Sequence, residues 1–483
     1  LVAAPYLTST SSTADGNSRE VRLWRRGEEL KKTKILIQGK QNDIGFFPWV
    51  MHSKEGQVNY ISYWYADGTG QLYFFKDGNL KKVLHPTNMT SFHSYYQGSI
   101  LIQLFEDWRE FKKNDVVKIK LETSVPELIY RPESDLGIND IHTTHSRIFM
   151  SYTQRAQKKV AELYKNKNGQ WIKKIIPFSK NTSLSISSAN YFNNTVLYQE
   201  ESFIQAPRLI LREKNKSQIV QKAPAFFDKD KFETIQLYAE SKDGQMIPFF
   251  LTKAKELKLN KTHPTLLYGY GAFGQSLTPT YRPEIGKAWL EKGGIYVVAN
   301  IRGGGELGVN WRLQGSGAYK QNSFNDFYAV AEKLIELGYT STKQLAIQGG
   351  SAGGLLVSVA MHQRPDLFAA IVATYPLIDV FQLQGSHADT YGDPQVPEQL
   401  AMIKNYDPMS NILAEKKYPA IFLLTSTQDQ RVPPLHSRKF AAKLISKGHQ
   451  DVYFYERNDA SHSEFDALQM AMLFSFLHSY VFY

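Results

Sequence analysis

Gly349-Gly350-Ser351-Ala352-Gly353 stands between the apolar run Gln344-Leu345-Ala346-Ile347-Gln348 and a helix-forming stretch that begins at Gly354. A strand, a glycine-flanked serine and a helix in direct succession make a tight elbow. A Cβ on either flanking glycine would collide with neighbouring backbone, so the turn needs Gly349 and Gly353. The serine Oγ is thereby pushed out of the sheet, and the helix start behind it favours negative charge developing at a reacting carbonyl. Outside this context the same five residues would be an ordinary glycine-rich turn.

The surrounding chain supplies that context. From about residue 232 apolar strands alternate with amphipathic helices, the pattern of a mostly parallel sheet with helices on both faces. Strands are expected at 232–239, 247–252, 264–270, 294–300, 344–348, 369–374, 419–424 and 451–455, and helices at 324–337, 354–363, 437–446 and 465–480. With the elbow, this makes the fold class of residues 229–483 an α/β-hydrolase.

Residues 1–228 read differently, as short aromatic and β-branched strands divided by Gly, Asn, Asp and Lys turns. Turns at Asp77-Gly78 and Asn168-Gly169 are explicit hairpin signals. Units that begin at Tyr60, Ser99, Arg147 and Thr195 are spaced by 39, 48 and 48 residues, close to the ~40–50 of a propeller blade. Four blades and a partial one at 20–39 give an all-β partial β-propeller, against the alternative of a β-sandwich. A ring that starts with half a blade leads us to expect further blades before Leu1, and hence a missing N-terminus.

Composition narrows the function classes. The 483 residues are 42% hydrophobic and 21% charged, as in a folded globular protein. The net charge of +11 and isoelectric point near 9.2 come from Lys and Arg scattered among acids. No zinc-finger spacing or RNA-reading strand pattern accompanies them, so a nucleic-acid role is not expected. Cysteine is absent, which excludes disulfides and thiolate metal sites. No apolar run reaches the ~18–20 residues of a membrane span, and residues 1–5 lack the regions of a signal peptide. A cytoplasmic monomer is expected, with the periplasm as the alternative compartment.

A serine hydroxyl needs a histidine to take its proton and an acid to hold that histidine in the right tautomer. In an α/β-hydrolase these follow in the order serine, acid, histidine. His462 comes directly after the last strand, where that order places it; His436, which opens a helix, is the competitor. His362, His449 and His478 read as packing or surface residues. Asp429 follows the strand at 419–424 by a short loop and is the expected acid. Asp459 and Asp466 lie nearer in sequence but fit a solvated loop and a helix N-terminus. An oxyanion hole needs the Ala352 N–H and a second donor from the loop after an early strand. Tyr268 and Tyr270 are equal candidates there on spacing alone. The glycine-rich turn 300–306 lacks a phosphate-loop ending and is read as a turn lining the site.

These segments together resemble the prolyl oligopeptidase family of serine peptidases. The carriers are Tyr268-Gly269-Tyr270-Gly271-Ala272-Phe273, Asn300-Ile301-Arg302-Gly303-Gly304-Gly305-Glu306, the elbow, Gln363-Arg364-Pro365-Asp366-Leu367-Phe368 and Asp429-Gln430-Arg431-Val432. The resemblance implies a Ser351, Asp429 and His462 triad, with Tyr270 and the Ala352 N–H as oxyanion donors. It implies that Arg431 binds a substrate carbonyl, and that Phe273, Tyr391 and Val432 wall the pocket for the residue before the cut. It also implies no metal or cofactor, and a propeller that admits short peptides and excludes folded proteins. The expected activity is peptide hydrolysis on the carboxyl side of proline; an esterase, an aminoacyl-peptidase or an inert peptide-binding fragment are the alternatives. The sequence departs from the family at three points. About four and a half blades stand where the family has seven, and Ala352 replaces a usual asparagine. The 379–392 stretch is shortened, with no tryptophan before Tyr391 to stack on a substrate proline.

Overall fold

The computed structural model describes all residues except 15, 54–55, 87–91, 134–135, 214–215, 384–386, 463–464 and 483. Residues 384–386 belong to the shortened 379–392 stretch, so that part of the sequence reading lies outside the described residues.

Four antiparallel sheets of four strands succeed one another in the first half, each a meander in chain order. They run from Gly45–Ser53 to Asn79–Lys82, from Phe92–Tyr96 to Pro126–Tyr130, from Leu136–Thr143 to Trp171–Ile175, and from Thr182–Ala189 to Lys216–Lys222. A two-stranded ribbon, Glu20–Leu23 with Lys34–Gln38, precedes them. Neighbouring sheets pack face to face through apolar layers: Leu72 and Val83 meet Ile100 and Val117, Leu101 meets Met150, and Phe149 meets Val196 and Tyr198. This is a partial β-propeller. At Asp77 and Gly78 φ is +50° and +80°, as a two-residue hairpin between Gly70–Lys76 and Asn79–Lys82 requires.

The sheets start one strand earlier than the sequence spacing suggests, at Gly45, Phe92, Leu136 and Thr182 rather than at Tyr60, Ser99, Arg147 and Thr195. The cause is local. Three of the four first strands slip register against their partners, between Phe92 and Ser94, Ile138 and Asp140, and Ile186 and Ser188. A bulge breaks the two-residue alternation by which a strand is recognised.

The second half holds one eight-stranded sheet. Across it the order is Phe232–Glu240, Met246–Ala254, Ile295–Ala299, Thr265–Tyr268, Leu345–Gly350, Ala370–Thr374, Ala420–Ser426 and Val452–Arg457. The first two pairings are antiparallel and the rest parallel. Helices Gln321–Glu336, Ala352–Gln363 and Leu435–Ser446 cover one face through Phe327, Leu355, Val359 and Phe440. The short helix Pro283–Ala288 and the last helix, Ala467–Val481, cover the other through Trp289, Phe474 and Leu477. Helix Ala352–Gln363 is buried all round apart from its final residue, which explains its nearly unbroken apolar sequence. Among the described residues no helix is long and apolar enough to cross a membrane.

The two halves share a packed seam. Phe203, one residue beyond the strand Thr195–Ser202, lies 5.5 Å from the Phe250 ring and 6.1 Å from the Tyr296 ring. Gln236 Nε2 donates to the Arg155 carbonyl at 2.9 Å, and the Tyr281 N–H donates to Glu201 Oε2 at 2.9 Å.

Candidate active site

Loops from the carboxyl ends of five parallel strands converge on one place, the edge at which sheets of this kind bind ligands. The strand Leu345–Gly350 delivers Ser351 at φ +54° and ψ −117°, a conformation that a residue with a Cβ rarely adopts. Glycine neighbours make it feasible. A Cβ on Gly349 would lie 2.1 Å from the Gly353 oxygen, and one on Gly353 would lie 2.7 Å from the Gly269 oxygen. The Ser351 N–H donates to the Thr374 carbonyl at 2.8 Å, anchoring the elbow to the next strand. Ala352 opens the helix, so its N–H is among the first-turn donors without an intrahelical acceptor.

His462 and Asp429 meet across two loops, with His462 Nδ1 2.6 Å from Asp429 Oδ2. The other carboxylate oxygen, Oδ1, accepts from the Arg431 and Val432 N–H groups at 3.0 and 2.9 Å. Three hydrogen-bonding groups thus meet the buried Asp429 carboxyl, and the contact at Nδ1 leaves Nε2 as the other nitrogen of the imidazole. Tyr375, next after the strand Ala370–Thr374, packs its ring 5.7 Å from the His462 ring.

Of the two tyrosines left open by spacing, Tyr270 has its hydroxyl in hydrogen-bonding reach of the Ser351 side chain. Burial raises its ionisation above the usual phenol range, so it remains a neutral donor at physiological pH. Tyr268 instead lies under the Arg282 guanidinium, 5.4 Å from it. Ser351, His462, Tyr270 and Arg431 all border a cavity of about 380 Å³, whose further walls include Tyr268, Arg282, Glu284, Gln348 and Phe465.

Phe273 and Tyr391 come together edge to face at 5.8 Å, and Val432 is buried in the same apolar cluster as Tyr391. None of the three borders the 380 Å³ cavity. Buried Lys320 lies behind Tyr391: its Nζ donates to the Gly271 carbonyl at 2.7 Å and sits 5.8 Å from the Tyr391 ring. Burial pushes the Lys320 amine down to about 7.

The competing groups are engaged elsewhere. His436 is buried and its Nδ1 accepts from the Asp379 N–H at 3.1 Å. His362 Nε2 lies 3.1 Å from the Tyr406 carbonyl, and burial pushes that imidazole down to about 4. Asp466 caps the last helix in a reciprocal box with Gln469, and Asp459 pairs with Arg457 at 2.8 Å. The turn 300–306 is not among the walls of this cavity. It backs the Tyr270–Phe273 loop instead: the Gly274 N–H donates to the Gly303 carbonyl at 2.9 Å, while Arg302 is buried against Asp326 at 2.5 Å. Sequence reasoning missed Tyr375, Lys320 and Arg282. Tyr375 could have been found by its place directly after a parallel strand; a single lysine or arginine in a loop carries no such signal.

The profile of the prolyl oligopeptidase family matches residues 284–481. A peptidase of Sinorhizobium fredii is 32% identical over 481 residues, covering 95% of this chain and 66% of that one. A peptidase of Rickettsia prowazekii is 30% identical over 515 residues, covering all of this chain and 70% of its own length. The chain thus spans about two thirds of the length of these relatives. The solved structure of a post-proline cleaving enzyme from Rickettsia typhi aligns with a TM-score of 0.81 at 31% identity, over 99% of this chain and 72% of that one. With the partial propeller, the hydrolase sheet and the elbow already in place, these matches mean that the chain belongs to the prolyl oligopeptidase family of serine peptidases.

Proposed function

We propose that this chain hydrolyses short peptides on the carboxyl side of proline through an acyl-enzyme on Ser351. Residues 1–228 serve in this reading as the partial propeller and residues 229–483 as the catalytic domain. The observation that carries it is the 2.6 Å contact of His462 Nδ1 with a buried Asp429, at the rim of a cavity shared with an outward-facing Ser351. Ser351 Oγ attacks the peptide carbonyl while His462 Nε2 takes its proton. The Tyr270 hydroxyl and the Ala352 N–H receive the developing oxyanion. His462 then gives the proton to the departing amine, and water, deprotonated by the same nitrogen, releases the acyl group. Asp429 stays ionised throughout and stabilises the imidazolium.

Arg431 serves to bind a substrate carbonyl, and Phe273, Tyr391 and Val432 enclose the proline ring. An apolar, aromatic wall suits a proline, whose ring offers no donor. Asp389, the acid that would draw an arginine toward this wall, is already paired with Arg312 at 2.9 Å.

The test uses two blocked fluorogenic dipeptides, with proline or arginine before the scissile bond. Wild type should cleave the proline substrate, and Ser351→Ala should not. Asp429→Asn should lower kcat by about 10⁴-fold, because the carboxamide oxygen keeps the two backbone donors and turns an NH₂ toward Nδ1, imposing the wrong tautomer. Full turnover by Ser351→Ala would remove the nucleophile assignment; cleavage after arginine alone would remove the proline preference.

A further inference from the structure

We propose that Arg282 makes the cavity beside Ser351 a subsite for a substrate carboxylate. The inference rests on Ser351 being the nucleophile and goes beyond it, since it concerns a part of the peptide that the Phe273, Tyr391 and Val432 wall does not hold. Those three residues are not among the walls of the 380 Å³ cavity, which Arg282 borders together with Ser351 and His462.

The guanidinium is built in. It lies 5.4 Å over the Tyr268 ring, donates a hydrogen bond to the Tyr296 side chain, and has Nε 3.5 Å from Glu284 Oε1. Even so, 39% of the side-chain surface remains accessible. Five N–H donors in a fixed fork leave capacity for a bidentate carboxylate. Among the described residues that border the cavity, two arginines, Arg282 and Arg431, face one carboxylate, Glu284, so an anion is favoured there. The backbone that carries Arg282 is held on both sides. Its predecessor Tyr281 donates its N–H to Glu201 Oε2 at 2.9 Å and stacks on Phe227 at 5.2 Å, and Pro283 follows. The carboxylate could be the free C-terminus of the peptide or an acidic side chain, and the chemistry at Arg282 is the same for both.

Three proline-containing peptides of equal length separate the sources: one ending in a free carboxylate, one ending in an amide, and one amidated but with glutamate replacing glutamine after the cut. In wild type, kcat/KM for one of the two charged peptides should exceed that of the neutral amide by about tenfold. Arg282→Gln should bring that ratio close to one, and Arg282→Lys should restore part of it. The peptide that gains identifies the source. Binding of the same peptides to Ser351→Ala, followed by calorimetry, reads the ratio without turnover. Equal affinity and equal kcat/KM for all three peptides in wild type, or a ratio that Arg282→Gln leaves intact, overturns the subsite. Turnover by Ser351→Ala overturns the nucleophile assignment instead, so the two failures are distinct.

Discussion

Glu306 is a carboxylate in a place that resists charge. It is buried, Oε1 accepts from the Leu277 N–H at 2.8 Å, and Oε2 is without a partner among the described residues. Burial pushes its ionisation up to about 7, against the opposing pull of the Leu277 N–H and the Asn300 amide. The folded state therefore holds the proton more tightly than the unfolded chain. The stability this contributes is complete below the ordinary carboxyl range and is lost as pH rises through about 7. Wild-type Tm should fall between about pH 5 and pH 8, and Glu306→Gln, which cannot titrate, should flatten that fall. An unaltered Tm profile in the variant would show that another group is responsible. At this scale the sequence offered its assignments by order along the chain, a serine at an elbow, an acid after one strand and a histidine after the next, and the structure brings the last two to 2.6 Å. That Arg282 borders the cavity was not legible, because it depends on how distant segments pack.

At the scale of elements, the elbow concentrates the steric demands of the fold. Strand Leu345–Gly350 and helix Ala352–Gln363 adjoin through a single residue of positive φ, and their backbones come close enough that no Cβ fits at Gly349. Gly349→Ala should cost about 1–3 kcal/mol through forced backbone displacement and should lower peptidase turnover more than Tm, because the displaced atoms carry Ser351. Thermal unfolding and turnover measured on the same sample check this; a fully active, equally stable variant would show that the turn can relax. The eight strands of the hydrolase sheet lie where alternation with helices placed them, to within a few residues at the ends. The first strand of three propeller sheets escaped the same reading, since a bulge shifts the side-chain alternation that the reading depends on.

Across the whole molecule, the propeller and the hydrolase share apolar side chains: Ala156 and Phe203 belong to the same buried cluster as Trp289 and Leu473. Phe203 packs on Tyr296, and Tyr296 in turn hydrogen-bonds Arg282, so the seam reaches the cavity through two contacts. Phe203→Ala should cost about 3 kcal/mol, the lower end for removing a buried phenylalanine. It should also speed amide hydrogen exchange in residues 281–296. Exchange unaltered there, with the Tm lowered, would confine the role of Phe203 to packing within the propeller.

The sequence by itself determined the two fold classes and the order of the chemistry-bearing residues, because periodicity, glycine placement and strand order are local or topological properties. It also marked the loops that hold Ser351, Asp429 and His462. Spacing left Tyr268 and Tyr270 equal, and the tertiary structure separates their surroundings: the Tyr270 hydroxyl reaches the Ser351 side chain, while Tyr268, at the end of its strand, lies under Arg282. The tertiary structure likewise decided that His436 is committed to the 378–379 backbone, that the turn 300–306 backs the Tyr270–Phe273 loop, and that Arg282 borders the serine's cavity. Each of these depends on distances between segments far apart in the chain, and no spacing within a single segment encodes them.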